Sequence, residues 1–275
     1  MTYFSALLLG FIQGVAEFLP ISSSGHLSIF QNFFGLADVE QDHMLFDVLL
    51  HLGTLAAVIA AYWPEIKGLV ITFFHMFRRD PAAAKAERQS RRLILLLIAA
   101  SLPLVLVLPV KSRVEALYSN TFFIGFALIA TGLVLFAADR VRRGAKNVKS
   151  MTLADALIVG AAQAVAVVPG LSRSGVTIAA GMCRRMDREF AVQFSLLLSI
   201  PAVVGANLLT LIDAIGAGVD WSLLPKYLLG VVAAAGFGYL SIRLLKLIAK
   251  KGSFGGFSYY CWGAGLVTLA LSLIG

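Results

Sequence analysis

Long apolar stretches separated by short polar segments make up most of the chain. A helix needs about 20 residues to cross a hydrocarbon core. Several stretches meet this requirement, and we predict six membrane spans, at residues 43–63, 93–110, 122–138, 190–212, 223–242 and 257–273. The pattern therefore predicts a polytopic membrane protein built from α-helices.

Two further apolar stretches are each interrupted by helix-breaking residues. The breaks are Pro20-Ile-Ser-Ser-Ser-Gly25 and Pro169-Gly-Leu-Ser-Arg-Ser-Gly175. Proline and glycine end helices, and non-helical backbone is tolerated at membrane depth only where protein surrounds it. The limb after the first break, residues 26–36, would be about 16 Å long as a helix, half the membrane. We therefore predict that each stretch is a re-entrant helical hairpin.

The two interrupted stretches align with each other at an offset of 150 positions. The first copy has Ala6, Leu7, Gly10, Gln13, Val15, Ala16, Ser22, Ser24 and Gly25, which recur as Ala156, Leu157, Gly160, Gln163, Val165, Ala166, Ser172, Ser174 and Gly175. The single membrane domain, 1–275, would then contain two repeats, 1–140 and 151–275. Each repeat would be one hairpin plus three spans, and because three is odd the repeats would have inverted topology.

Composition and charge support a membrane protein and give its orientation. Hydrophobic residues make up 59% of the chain, charged residues 14%, and the mean hydropathy is +0.86. The net charge of +8 does not indicate a nucleic-acid partner, because basic residues cluster at 67–92, 140–149 and 243–251. This asymmetry places the basic segments in the cytoplasm. Both termini and the acidic run Asp38, Glu40 and Asp42 would then be extracytoplasmic, on the side from which the first hairpin enters.

Serines and glycines at both breaks predict an anion site. Serine is a favoured N-cap, and a helix N-terminus presents free N–H groups with a partial positive charge. Glycine lets the backbone approach a phosphate closely. With helices expected to begin near 26 and 176, the phosphate-binding candidates are Ser22, Ser24, Gly25, Ser172, Ser174 and Gly175. The alternative is that these residues only satisfy the ends of a broken helix.

Arg173, Glu17 and Gln13 are the polar groups that are most costly to place in these apolar limbs. Arg173 needs an anionic partner, either Glu17 as a structural ion pair or a substrate phosphate, for which a guanidinium is well shaped. Gln13 lies one turn before Glu17 on the same helix face. Together they would hold a divalent cation through oxygen or orient Arg173.

Ser23 and His26 are three residues apart, a spacing that allows a nucleophile and its base to be neighbours. The second break has Arg173 where the first has Ser23, so acid–base groups and charge neutralisation are divided between the hairpins. Asp47 and His51 form a second pair at one-turn spacing, which is either a structural hydrogen bond or part of the site lining.

These motifs resemble those of the bacterial undecaprenyl-pyrophosphate phosphatases, the bacitracin-resistance family. The segment Gln13-Gly-Val-Ala-Glu17-Phe-Leu-Pro-Ile-Ser-Ser-Ser-Gly-His26 is similar to the first family signature. The segment Pro169-Gly-Leu-Ser-Arg-Ser-Gly175 is similar to the second. The stretch from Phe46-Asp47 to His51-Leu-Gly53 also fits, and the resemblance covers essentially the whole chain.

The resemblance implies hydrolysis of undecaprenyl pyrophosphate to the monophosphate carrier of peptidoglycan synthesis, at the outer face of the cytoplasmic membrane. It assigns catalysis or substrate contact to Glu17, Ser23, His26 and Arg173. It also implies a divalent cation, Mg²⁺ or Ca²⁺, and assigns metal or substrate contact to Gln13 with Glu17. The family allows Glu or Gln at position 13, and the glutamine leaves one carboxylate fewer for a metal.

A transporter or flippase of a lipid-linked or small anion is the alternative function, because inverted repeats with broken helices are typical of transporters. Ser23 and His26 favour an enzyme, since an anion carrier needs no nucleophile and base. A purely structural subunit would leave Arg173, Glu17 and His26 unexplained. The sequence leaves the oligomeric state open, including a homo-oligomer, and it leaves open whether Ser23 or water attacks the substrate.

Overall fold

The computed structural model describes residues 1–33, 44–77, 86–217 and 221–274. These residues form helices and one isolated β-bridge, between Lys146 and Met186. The α-helices are α1 (Tyr3–Phe18), α2 (Ser23–Phe33), α3 (Met44–Ala61), α4 (Trp63–His75), α5 (Arg88–Val105), α6 (Lys111–Glu115), α7 (Thr121–Asp139), α8 (Leu153–Val165), α9 (Arg173–Cys183), α10 (Arg188–Ala217), α11 (Leu224–Lys251) and α12 (Gly255–Ile274), with 3₁₀ turns at Leu108–Val110 and Trp221–Leu223.

The all-helical membrane architecture predicted from the apolar pattern is confirmed. Four helical segments are long and apolar enough to cross a membrane: Arg88–Glu115, Thr121–Asp139, Arg188–Ile212 and Trp221–Lys251. The bent pair α3 and α4 makes a fifth if it counts as one span. Helix α12 occupies the sixth predicted position. Helices α1 and α8 are apolar but shorter, as expected for segments that stop at a break.

Two basic segments that the sequence predicts as loops contain helix in the structure. Helix α4 includes residues 67–75 of the segment 67–92 and turns by 91° from α3. Pro64 stands in the first turn of α4, where its missing N–H is harmless, whereas it would have interrupted a continuous helix. Helix α11 runs on through the predicted loop 243–251 and ends at Gly252, whose φ of 77° suits a glycine after a helix. The acidic run at 38–42 lies outside the described residues.

Small residues bring the long helices close together. A Cβ atom on Gly14 of α1 would lie 2.7 Å from the carbonyl oxygen of Ala234 in α11. A Cβ atom on Gly265 of α12 would lie 2.7 Å from the carbonyl oxygen of Gly125 in α7. Close backbone approach of this kind drives helix association where apolar burial gives little driving force. The α1–α11 and α7–α12 pairs are therefore closely packed.

A buried carboxylate joins the loop before α8 to the end of α9. Asp155 caps α8 with Thr152 and accepts from Lys146 Nζ at 2.8 Å and from Arg184 Nε at 2.7 Å. Asp155 lies outside the four helical segments that are long enough to cross a membrane. Burial alone would raise the pKa of Asp155, but the hydrogen bonds from Lys146, Thr152 and Arg184 outweigh it and hold this pKa well below its usual range.

Candidate functional site

The two helix breaks have the same local structure. Ser22 Oγ accepts a hydrogen bond from the Gly25 N–H at 3.2 Å, and Ser172 Oγ accepts one from the Gly175 N–H at 3.1 Å. Each serine thus satisfies one of the free N–H groups at the start of the following helix. Both serines are buried. Capping, the alternative role considered for these residues, is therefore what the structure shows for Ser22 and Ser172, and phosphate contact by them stays a prediction.

The helices that follow the breaks begin three residues earlier than expected. Helix α2 begins at Ser23 and α9 at Arg173, so both candidate reactive residues stand in a first helical turn. Ser22 reaches this start through a φ of 74°. A left-handed conformation is uncommon for a non-glycine residue and is found preferentially at functional sites.

The two breaks pack directly against each other. A Cβ atom on Gly25 would lie 3.1 Å from Gly170 Cα in the other break. In return, a Cβ atom on Gly175 would lie 3.2 Å from Pro20 Cβ. Ser174 Oγ also donates to the carbonyl oxygen of Leu19 at 3.3 Å. The N-termini of α2 and α9 therefore lie close to each other.

Glu17 is the centre of a charged cluster that joins the two hairpins. Its Oε1 forms an ion pair with Arg173 Nη2 from the other hairpin. Its Oε2 accepts from Ser23 Oγ at 2.7 Å and from Gln13 Nε2 at 3.1 Å. Glu17 is buried, whereas the Arg173 side chain keeps 22% of its surface exposed. The structure thus contains the Glu17–Arg173 pair, and part of the Arg173 side chain remains exposed.

The residues proposed for a metal ion offer two kinds of oxygen. Gln13 is fully buried and its Oε1 has no hydrogen-bond partner, so this oxygen can accept a further contact. Glu17 supplies the carboxylate. No three His, Cys, Asp or Glu side chains in the described part of the chain are grouped as a complete metal site. His51 of α3 lies near enough to Glu17 to interact electrostatically, while its Nδ1 bonds the Asp47 carbonyl oxygen at 2.9 Å.

His26 is engaged away from Ser23. Its Nδ1 lies 2.7 Å from the carbonyl oxygen of Ser22, and its Nε2 lies 2.7 Å from the hydroxyl of Tyr260 in α12. The structure therefore pairs Ser23 with Glu17 rather than with His26. Tyr260 was not predicted from the sequence, because no local pattern links residues 234 positions apart.

Thr131 of α7 is a second residue that the sequence analysis missed. Its hydroxyl accepts from the Ser172 N–H at 3.1 Å and donates to the Gly170 carbonyl oxygen at 3.3 Å. It thereby satisfies backbone groups that the break in the second hairpin leaves unpaired. A threonine within an apolar span was the only available signal for this role.

Comparison with known proteins gives a consistent family. Residues 6–267 match the family model described as Bacitracin resistance protein BacA. An undecaprenyl-diphosphatase of Alkaliphilus metalliredigens is 39% identical, with 100% of each chain covered. One of Carboxydothermus hydrogenoformans is 38% identical, covering 100% of this chain and 99% of the other. One of Methanosphaera stadtmanae is 37% identical, with 98% of each chain covered. The chain belongs to the family of the bacitracin resistance protein BacA.

Proposed function

We propose that this protein is an integral membrane phosphatase that hydrolyses undecaprenyl pyrophosphate to undecaprenyl phosphate and inorganic phosphate. One observation carries the proposal. Ser23 Oγ, at the N-terminus of α2, donates to Glu17, which is in turn paired with Arg173 from the opposite hairpin. A hydroxyl, a carboxylate and a guanidinium at a helix N-terminus are the groups that phosphoryl transfer requires.

The pyrophosphate would bind where the N-termini of α2 and α9 meet. The first N–H groups of a helix have no partner within it, and they carry part of the positive helix dipole. Ser24 and Ser174 stand beside Ser23 and Arg173 in these first turns. Arg173 keeps donors beyond the one that holds Glu17, and these would bind phosphate oxygens. The prenyl chain would lie along the apolar outer surface of the helices, in the lipid.

In the first step, Ser23 Oγ attacks the terminal phosphorus while Glu17 Oε2 takes the hydroxyl proton. The bond from that phosphorus to the bridging oxygen breaks, and undecaprenyl phosphate leaves with the electron pair. Arg173 and the two helix N-termini stabilise the charge that develops on the phosphoryl oxygens. The serine route is supported by the 2.7 Å contact between Ser23 and Glu17, which provides the base that a serine nucleophile needs.

In the second step, water attacks the phosphoserine and Ser23 recovers its proton from Glu17. His26 is the remaining group beside the break that can accept a proton from this water. In the rival scheme, His26 activates water for direct attack on the substrate and Ser23 only positions the phosphate. The two schemes differ in the number of displacements at phosphorus, and therefore in stereochemistry.

A divalent cation, Mg²⁺ or Ca²⁺, belongs to the proposal as a ligand of Glu17 and Gln13. The unpartnered Oε1 of Gln13 supports this assignment, since hard cations prefer oxygen ligands. With only two protein oxygens, the remaining ligands would be phosphate oxygens and water. When bound, the ion would neutralise part of the pyrophosphate charge.

The fold proposed for this function is an inverted repeat, 1–140 and 151–275, with two re-entrant hairpins that meet within the membrane. The matching caps at Ser22 and Ser172 and the reciprocal packing of the two breaks support it. The basic segments would face the cytoplasm, with the site open to the outer side of the cytoplasmic membrane. Cysteine labelling at positions 38 and 250 in intact cells tests this orientation. Labelling of position 250 from outside would overturn it.

The function is tested with purified protein in detergent, where transport across a membrane cannot contribute to the signal. Farnesyl and undecaprenyl pyrophosphates are the substrates, and free prenyl alcohol is the control. We expect one inorganic phosphate for each prenyl monophosphate formed. Substrate binding without phosphate release would favour the transporter alternative and refute the phosphatase.

A further inference from the structure

Helix α12, which lies outside both hairpins, also contacts His26. Tyr260 belongs to α12, and its hydroxyl lies 2.7 Å from His26 Nε2. The two rings are stacked, with centroids 5.6 Å apart and planes inclined by only 13°. The contact therefore fixes both the hydrogen bonding and the plane of the imidazole.

The hydrogen-bond partners determine which tautomer of His26 is present. The carbonyl oxygen of Ser22 can only accept, so Nδ1, at 2.7 Å from it, carries the ring proton. In the neutral imidazole Nε2 is then the acceptor, and the Tyr260 hydroxyl donates to it. The basic nitrogen of His26 is therefore Nε2, and Tyr260 is the group that engages it.

Helix α12 is held beside the first break by other contacts as well. The neighbouring Cys261 donates from Sγ to the carbonyl oxygen of Pro20 at 3.5 Å. One turn further on, Gly265 packs against the backbone of Gly125 in α7. Because these contacts dock the helix, the hydroxyl of Tyr260 is not needed for docking. What it alone provides is the hydrogen bond to His26.

We propose that Tyr260 is a positioning residue for His26, which keeps Nε2 as the basic nitrogen and holds the ring in one orientation for proton transfer. This role rests on the proposed function, because it acts through His26. During turnover the proton of water would reach Nε2 through the Tyr260 hydroxyl, which gives its own proton to Nε2 and takes the water proton in exchange. The Tyr260 oxygen can then accept from the newly formed Nε2–H. Tyr260 thus remains a hydrogen-bond partner of His26 in both protonation states.

The variant Tyr260→Phe removes the hydroxyl and keeps the stacked ring. We expect kcat for prenyl pyrophosphate hydrolysis to fall about 3- to 10-fold, the effect of one neutral hydrogen bond, with KM nearly unchanged. Tyr259→Phe is the matched control, since Tyr259 is exposed and packs edge-on against Phe136 and Trp262. It should retain wild-type kcat. A Tyr260→Phe enzyme as active as this control would overturn the proposal.

A double-mutant cycle with His26→Ala separates positioning from general packing. If Tyr260 acts only through His26, then Tyr260→Phe has no further effect on kcat in the His26→Ala background. If the two substitutions instead lower kcat independently, so that their factors multiply in the double variant, that role is refuted. If His26→Ala leaves too little activity to measure, ¹⁵N NMR of histidine-labelled protein decides. The Nε2 resonance of His26 should shift in Tyr260→Phe and stay unchanged in Tyr259→Phe, and an unshifted resonance would also refute it.

These outcomes are distinct from failure of the proposed function. A wild-type protein that releases no phosphate from prenyl pyrophosphates contradicts the phosphatase itself. An active wild type with an unaffected Tyr260→Phe variant contradicts only the role of Tyr260. The NMR measurement needs no substrate, so it tests the Tyr260–His26 contact independently of catalysis.

Discussion

Replacing Glu17 by glutamine tests the centre of the proposed site. The carboxylate accepts from Ser23 at 2.7 Å, from Gln13 at 3.1 Å and from Arg173. The amide keeps the size of the side chain but cannot take the Ser23 proton. A positioned base contributes about 10²- to 10⁴-fold in rate, so kcat should fall by this factor, about 3 to 5 kcal/mol in activation free energy.

The measurement is phosphate release by purified protein, with the melting temperature followed in parallel to separate catalysis from folding. Glu17→Asp keeps the charge but shortens the side chain, and a displacement of about 1 Å costs about 10²-fold in rate. Glu115→Gln is the control, because Glu115 is 56% exposed and pairs with Lys111 one turn earlier at 3.4 Å. If Glu17→Gln folds normally and keeps more than a tenth of wild-type kcat, Glu17 is not the base for Ser23.

The remaining predictions concern the guanidinium, the nucleophile and the buried carboxylate. Arg173→Lys should fold and lower kcat about 10²-fold or more, because an ammonium cannot hold Glu17 and a phosphate with the same fork of donors; near-normal turnover would refute this. Ser23→Ala should lose nearly all activity, and a chiral thiophosphoryl substrate should react with retention, whereas inversion would exclude the phosphoserine. Asp155→Asn should lower the free energy of unfolding by about 2 kcal/mol at neutral pH. Because the pKa of Asp155 is lower in the folded state, this contribution is present above about pH 4 and is lost as the pH falls further. Melting temperatures of wild type and variant should therefore converge in acid, and a constant difference would contradict the assignment.

Much of the fold was accessible from local patterns. Apolar stretches of spanning length predicted helices at all six positions where long helices occur. The cap pairs Ser22–Gly25 and Ser172–Gly175 were predictable, because serine at an N-cap is a local preference. The bend between α3 and α4 was not predicted, although Pro64 marks it, since a proline in a first turn is also compatible with a simple helix start.

The sequence predicted which residues belong to the candidate site but not which of them contact each other. Sequence spacing placed Ser23 beside His26, yet the rotation of the first turn of α2 directs Ser23 to Glu17 and His26 to Tyr260. Such partners depend on how separate helices pack, and spacing along one segment carries no information about it. The Glu17–Arg173 pair was one of two alternatives for Arg173, the other being a substrate phosphate, because an unpaired charge is costly in an apolar limb.

The Glu17–Arg173 ion pair also has a consequence for biogenesis. The two residues are 156 positions apart, so a ribosome completes Glu17 long before its partner exists. An acidic side chain without a partner within a membrane-inserted helix costs about 2.5 to 3.5 kcal/mol, and α1, with 16 residues, has little apolar length to offset this. We therefore expect the N-terminal hairpin to insert stably only when the second hairpin enters the membrane. Nascent chains that end before residue 173 would carry no working phosphate site.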